Sequence, residues 1–86
     1  MDIKTKAARN HRLLADEAFQ DAIAEVRQAQ MKAFANSGPD EIEVREEAHA
    51  ILRALSKLIL ALEAPEKDLL VEEKRKERHR GSDRTQ

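Results

Sequence analysis

The second half of this sequence contains the feature that most restricts its fold, a regular line of apolar residues. They recur at alternating steps of four and three, which places them on one face of an α-helix. The line consists of Val44, Ala48, Ile51, Leu55, Leu58 and Leu62, and it is widened by Leu52 and Ile59. An apolar face of this width must be covered by another element, so the pattern predicts a helix over 40–64 that packs against a second helix.

A second amphipathic segment precedes this helix and supplies the expected partner. Asp16 and Glu17 are suited to the N-cap and first turn of a helix. The apolar residues that follow at helical spacing are Phe19, Ala22, Ile23, Val26, Ala29 and Ala33. Leu13 and Leu14 lie off this face, which indicates a kink near Asp16. We therefore predict a helix over 16–35.

A short turn joins the two predicted helices. The stretch Asn36-Ser37-Gly38-Pro39 combines residue types that favour turns. A connection this short brings the helices side by side as an antiparallel hairpin. Asp40 can cap the second helix, with Glu43 three residues later as in a capping box. Pro65 is expected to end or kink that helix, because proline removes a backbone hydrogen bond and clashes with the preceding turn.

The composition supports an all-α fold. Strong helix formers dominate, and there are only two glycines, two prolines and no tyrosine or tryptophan. Sheets favour the opposite mixture. We predict an antiparallel two-helix hairpin followed by a third, charged helix. Along the chain this gives a basic N-terminal leader of uncertain order (1–12), the helical hairpin (13–64) and a charged C-terminal helix and tail (65–86).

The length of the chain makes the isolated protein marginally stable. A chain of 86 residues buries only roughly 60% of the surface that it exposes when unfolded. It has no cysteine for disulfides and no Cys/His spacing that predicts structural zinc. Association is the remaining source of stability. We therefore expect a homo-oligomer, or a component present in several copies in an assembly.

Charge and hydropathy narrow the classes of function. Acidic and basic residues nearly cancel, with a net charge of −1, whereas general nucleic-acid binders carry a basic excess. The longest aliphatic run, over 58–62, is far shorter than the roughly 20 residues that span a bilayer. No secretory signal pattern follows Met1. We expect a protein made in the cytoplasm, with no membrane contact and without nucleic acid as its main partner.

No arrangement of reactive side chains predicts catalysis. The adjacent carboxylates Glu46-Glu47 and Glu72-Glu73 diverge on a helix surface, without the apolar surroundings that adapt a carboxyl group to acid–base catalysis. The histidines are His11, His49 and His79. They lie far apart, and none has a metal-ligating partner four residues on. Neither glycine is followed by the lysine and hydroxyl of a phosphate loop. We predict no catalytic, cofactor-binding or metal-binding residues.

Two charged stretches are candidate contact surfaces. The basic one contains Lys74, Arg75, Lys76, Arg78 and Arg80. It can contact phosphates or an acidic protein surface, but no aromatic residue accompanies it to stack a base. The alternative is a solvated helix stabilised by pairs such as Glu72 with Lys76. The acidic stretch contains Asp40, Glu41, Glu43, Glu46 and Glu47. The helix dipole explains much of it, and the alternative is an additional role in pairing with a basic surface on a neighbour.

Apolar residues outside the seam are the candidate partner-binding residues. They are Ile42, Leu60, Leu69, Leu70 and Val71. They cannot all face one two-helix interface, and leftover apolar surface often marks an interaction site. The cluster over 69–71 is the only apolar feature after Pro65, so we expect it to anchor the last helix on a partner or a sister subunit. The alternative is that the cluster folds back and closes its own hairpin.

Two stretches together resemble a group of short helical-hairpin proteins. The first is Leu13-Leu14-Ala15-Asp16 with Phe19 and Ala22-Ile23. The second is Asn36-Ser37-Gly38-Pro39-Asp40, followed by Arg45-Glu46-Glu47-Ala48 and the seam over 51–62. The group is encoded among the head and packaging genes of tailed bacteriophages. The resemblance covers roughly residues 10–64 and not the segment after Pro65. It implies a virion or assembly component that works through protein contacts, and it carries over no catalytic residues.

The sequence thus leads to one expected function and two alternatives. The expected function is that of a non-enzymatic structural or accessory protein in the head or neck of a tailed-phage particle. It would be present in several copies, with portal, capsid or neck proteins as partners, and would be found in the virion. One alternative is a soluble regulator that blocks or bridges a host or phage enzyme. The other is a packaging accessory that touches DNA through 74–80.

Overall fold

A computed structural model describes the backbone of residues 1–84 and the side chains of residues 1–78. Over this range the chain forms three α-helices, α1 (Ile3–Ala15), α2 (Glu17–Asn36) and α3 (Ile42–Arg84), and no strand. The predicted all-α class is confirmed. Contacts between the helices agree with the predicted hairpin, since α1 and α2 each pack mainly against α3.

Asp16 separates α1 from α2, as the two leucines before it predicted. Its backbone is extended, with φ −70° and ψ 124°. Its carboxylate accepts a hydrogen bond from the Phe19 backbone N–H at 2.9 Å, which satisfies a free donor in the first turn of α2. Its own N–H donates to the Leu13 carbonyl at 3.1 Å and closes α1. One aspartate therefore ends the first helix and begins the second.

The predicted basic leader is instead the N-terminal part of helix α1. Asp2 caps the helix by accepting from the Lys4 backbone N–H at 3.4 Å. Ala7 is buried, and the Asn10 side-chain amide donates to the Leu62 carbonyl of α3 at 3.1 Å. The leader expectation missed this because two of the residues of α1 that meet α3 are a small alanine and a polar asparagine, residue types that do not by themselves indicate a packed face.

The turn between α2 and α3 is stabilised by side chains as well as by backbone. The Ser37 hydroxyl donates to the Phe34 carbonyl at 2.8 Å, and the Gly38 N–H donates to Glu41 Oε1 at 3.0 Å. Arg45 Nη1 donates to the Gly38 carbonyl at 2.6 Å. The connection spans residues 37–41, but the turn itself is centred on Pro39 and Asp40, two residues after the predicted Ser37-Gly38, and the Glu41 N–H donates to the Gly38 carbonyl at 3.0 Å. The second helix begins at Ile42 rather than at residue 40, because Glu41 folds back to hold the turn.

Helix α3 continues through Pro65 to Arg84, so the charged C-terminal segment is not a separate third helix. Of the two predicted effects of Pro65, an end or a kink of the second helix, the end is therefore wrong. The proline ring is buried and lies in a groove next to Ile3 and Lys6 of α1. The carbonyl that loses its donor belongs to Ala61, an exposed residue, where water can replace the missing N–H. Packing against α1 thus offsets the cost of proline inside the helix.

The molecule is a long, thin hairpin in which α1 and α2 follow one another along α3. Asn10 lies beside Leu62, whereas Phe34 lies near Leu52, so α3 runs antiparallel to the other two helices. The extents are 68 × 27 × 19 Å. The buried apolar residues are Ala7, Ile23, Ala48 and Pro65, and among the described residues no large side chain is fully buried. Two layers of helix are too thin to enclose a core.

Substitution of Leu55 tests the assignment of the seam. Leu55 is half-buried, so we expect Leu55→Ala to lower the free energy of unfolding by about 1–3 kcal/mol, which overlaps the lower part of the range for buried leucines. Leu60→Ala, on an exposed part of the same helix, is the matched control and should change it by less than about 0.5 kcal/mol. Thermal denaturation followed by circular dichroism measures both. Equal shifts in the two variants would contradict the seam.

Candidate protein-docking surfaces

The apolar face of α3 is wider than the helices that cover it. Three lines of apolar residues run along α3, and the middle one, which includes Ala48 and Leu55, faces α1 and α2. The lines on either side are only half-covered. Because side chains advance about 100° per residue, one outer line falls on each flank of the hairpin. Each flank therefore presents apolar side chains to solvent.

One flank is lined by valine, isoleucine and leucine. On α3, Val44, Ile51 and Leu58 repeat at a step of seven, which keeps them on one line along the helix. Val26 of α2 lies on the same side of the hairpin. On their own helices, Val26 and this line are both rotated in the same sense away from the residues at the α2–α3 contact. In an antiparallel pair of helices, that places them on one side. Leu58 is 45% exposed, Val26 and Val44 are also exposed, and Ile51 is half-buried. We call these four residues the valine–leucine flank.

The opposite flank carries a shallow groove near the turn. It is lined by Met31, Phe34, His49 and Leu52 and encloses about 240 Å³. Met31 is 58% exposed, and Phe34 is exposed as well. The groove continues along α3 past Arg53 and Lys57. We call it the methionine–phenylalanine groove. Sequence reasoning missed it, although Met31 lies off the main apolar face of its helix, which was the available signal.

The five predicted partner-binding residues do not form one cluster. Ile42, Leu60 and Val71 are separated by 18 and 11 residues, close to whole numbers of helical turns, so they share one side of α3. At a rise of about 1.5 Å per residue they lie about 27 Å and 16 Å apart. All three are exposed. Isolated exposed apolar residues are common on soluble proteins, so this side of α3 is not a continuous apolar surface.

The predicted 69–71 cluster is divided between two environments. Leu69 is half-buried and continues the seam toward the α1 end of the molecule, whereas Leu70 and Val71 are exposed. The three residues are divided because the side chains of three successive residues on a helix point in directions that span roughly 200°. The last two residues remain available to a partner.

Three of the five cations of the basic stretch lie together on one side of α3. Lys74, Arg75 and Arg78 surround a shallow groove next to Val71. Glu72 and Glu77 border the groove next to Arg75 and Lys74, whereas helical spacing places Glu73 on the opposite side of α3. Lys76 is exposed on that other side too, and the side chain of Arg80 lies outside the described residues. Among the described side chains, the basic side of α3 therefore consists of Lys74, Arg75 and Arg78 around this groove, with carboxylates on its borders.

The described side chains include no buried polar or charged group. Over the same range, no group of three or more histidine, cysteine, aspartate or glutamate side chains is arranged to hold a metal ion. Within the described part of the chain, no helix is both long enough and apolar enough to span a bilayer. The candidate sites are thus apolar flanks and a basic side of one helix.

Comparisons with known proteins add no assignment. Neither a family model, nor a curated protein, nor a solved structure matches the chain. The resemblance to the phage hairpin proteins thus rests on the residues quoted for it, and the docking surfaces rest on their geometry.

Proposed function

We propose that this protein is a non-enzymatic component that binds other proteins through the apolar flanks of its hairpin. The observation that carries this proposal is that large apolar side chains on both flanks stay exposed in the folded chain, Leu58 and Phe34 among them. Scattered single residues would need no explanation, but here they line a continuous flank and a groove. A protein surface that covers them supplies the burial that the thin hairpin lacks.

We further propose that the protein belongs to a tailed-phage particle, as a small structural or accessory part of its head or neck. The support is the resemblance over residues 10–64, together with a shape suited to lying along a larger surface, 68 Å long and 19 Å thick. Portal, capsid or neck proteins would then be the partners. No step of this function requires a reacting side chain.

Quantitative mass spectrometry of purified particles tests the phage assignment. In particles of the phage that encodes the chain, we expect peptides of this protein at several copies per particle, retained through density-gradient purification. The control is a non-structural phage protein, which is lost in the same step. If the chain is recovered only from the soluble lysate, the particle assignment is wrong and a soluble regulator is favoured.

The basic side of α3 makes a DNA-contacting role testable. The exposed cations Lys74, Arg75 and Arg78 are at most three phosphate contacts, and the chain as a whole has a net charge of −1. We therefore expect little binding to duplex DNA at physiological salt. Gel shifts over a range of salt concentrations provide the measurement, because each phosphate contact contributes a log–log slope of about −0.9.

Neutralising the basic side provides the control for that measurement. Any weak binding at low salt should disappear when Lys74, Arg75 and Arg78 are all changed to glutamine. It should persist when Lys32 and Arg27 of α2 are changed instead. Tight, salt-sensitive binding by the unaltered chain would favour the packaging role over the structural one.

A further inference from the structure

The chain exposes more surface than its mass requires. Its accessible surface is 7195 Å² for 9.8 kDa, whereas a compact monomer of this mass exposes about 5,200 Å². Its radius of gyration is 19.7 Å, against about 12 Å for a compact chain of this length. Part of the excess belongs to the polar end of α3. Interfaces of obligate homodimers bury about 1,000–2,500 Å² per chain, so the excess has the size that a second chain removes.

The valine–leucine flank is the surface best suited to be covered by another helical hairpin. Its α3 line repeats at a step of seven, the period with which helices interlock along their length. On α2, Val26 lies between Ala22 and Ala29, two exposed residues whose small side chains let another helix approach closely. The methionine–phenylalanine groove is shorter and is bordered by His49, Arg53 and Lys57, so it offers less continuous apolar surface.

The two ends of the paired part of the hairpin carry opposite charge. At the turn end, residues 36–47 hold five carboxylates and one arginine, a net charge of −4. At the other end, residues 1–15 hold four cationic side chains and one carboxylate, and the stretch of α3 beside them, 57–69, holds two lysines and three carboxylates, which together leave a net charge of +2. Helix α1 and the turn lie at opposite ends of the hairpin because α1 packs beside the stretch of α3 near Leu62. Two copies attract one another when their directions are opposed.

We propose that a second copy of this chain packs on the valine–leucine flank with its long axis reversed, so that a two-fold axis passes near Val26 and Ile51. The inference deepens the proposed function by naming one partner and its surface. In this arrangement α3 lies against α3 of the second copy, with Val44 opposite Leu58 of that copy. The α2 helices meet in the same way at Val26. An isologous contact of this kind closes after two chains.

Charge decides between this arrangement and its parallel alternative. Measured from Val26, helix α1 lies about 16–35 Å away along the axis, and the turn lies about 20 Å away in the other direction, at about 1.5 Å per residue. When the second copy is reversed, the cations Arg9 and Arg12 of the first copy therefore lie near the acidic turn of the second. A parallel pair would bring the two acidic turns together, and like charges in contact disfavour that pairing.

Sedimentation of the full chain tests the association. We expect a dimer, twice 9.8 kDa, at micromolar concentration. Leu58→Glu should raise the dissociation constant at least 100-fold. Leu60→Glu adds the same charge two residues away, at a residue that is 56% exposed and outside the flank, and should leave it within about threefold. Circular dichroism on both variants checks that helix content is kept. A wild-type monomer at 100 μM overturns the proposal, as do equal effects of the two variants.

Cysteine cross-linking tests the surface and the direction, and it remains informative if Leu58→Glu unfolds. The chain has no native cysteine. Val26→Cys should form a disulfide-linked dimer under mild oxidation, because the proposed axis brings the two copies of this position together. Met31→Cys is the control, on the same helix but in the methionine–phenylalanine groove, and should stay largely monomeric on a non-reducing gel. Cross-linking of Met31→Cys but not Val26→Cys overturns the proposal.

The outcomes separate this inference from the proposed function. A monomer in sedimentation removes the homodimer and leaves the docking function intact, since either flank can still be covered by a different protein. A dimer that is absent from purified particles supports the present inference and contradicts the phage assignment.

Discussion

Changing Ala48 to glutamate is expected to abolish the cooperative thermal transition of this protein. Ala48 is 1% exposed, against 6% for Ala7 and 8% for Ile23, and lies on the line of α3 that faces the other helices. A charged side chain there costs several kcal/mol in desolvation, and its extra volume adds about 1–3 kcal/mol of overpacking. A chain of this length has a stability of only about 4–13 kcal/mol. Circular dichroism during heating measures the loss.

Ala50→Glu is the matched control for that experiment. It introduces the same side chain on the same helix at an exposed residue, where glutamate is a good helix former. We expect its melting temperature to lie within a few degrees of the unaltered protein. A cooperative transition in Ala48→Glu comparable to that of Ala50→Glu would show that Ala48 does not lie at the packed contact between the helices.

Truncation after Ala64 is expected to release α1 from the hairpin. The deletion removes the buried Pro65 ring, the half-buried Leu69 and Glu66, whose Oε2 atom lies 3.6 Å from His11 Nδ1. An isolated helix of 13 residues is marginal in water, so α1 should lose most of its helix content. The α2–α3 contact is retained, since it lies between the turn and Leu62. Amide hydrogen exchange, read separately for α1 and α2, provides the measurement.

A shorter deletion provides the control for the truncation. A chain that ends at Glu73 keeps Pro65 and the 69–71 cluster but lacks the basic side of α3. We expect its α1 amides to be protected as in the full chain. If truncation after Ala64 leaves α1 equally protected, the segment after Pro65 does not support the hairpin and serves docking alone, as expected for an anchor on a partner.

The regular parts of the fold were predictable because their periodicity is local. The 4-3 line from Val44 to Leu62 predicted the middle of α3, and the turn residues around Gly38 predicted the reversal of direction. Asp16 predicted the break between α1 and α2. Each of these features depends on residues within one or two turns of one another, where helix propensity and capping act.

Two other parts of the fold, helix α1 and the continuation of α3 through Pro65, could not be predicted from the local sequence pattern. Helix α1 contributes Ala7 and Asn10 to its contact with α3. Neither residue predicts this contact until it is known that Leu62 and Pro65 of α3 lie opposite them. Pro65 normally disfavours a continuous helix, and the groove next to Ile3 and Lys6 is what buries its ring. Contacts between residues more than 50 positions apart decided both outcomes.

The candidate docking surfaces were likewise only partly predictable from the sequence. The sequence by itself determined that apolar residues exceed what one two-helix seam can hold, since their number and helical spacing are properties of the chain. Only the tertiary structure decided which of them stay exposed. It separated Ile42, Leu60 and Val71 along one side of α3, and it grouped Val26 with Leu58 on one flank. The physical reason is that helical periodicity sets where a side chain points, whereas burial depends on which distant helix packs against it.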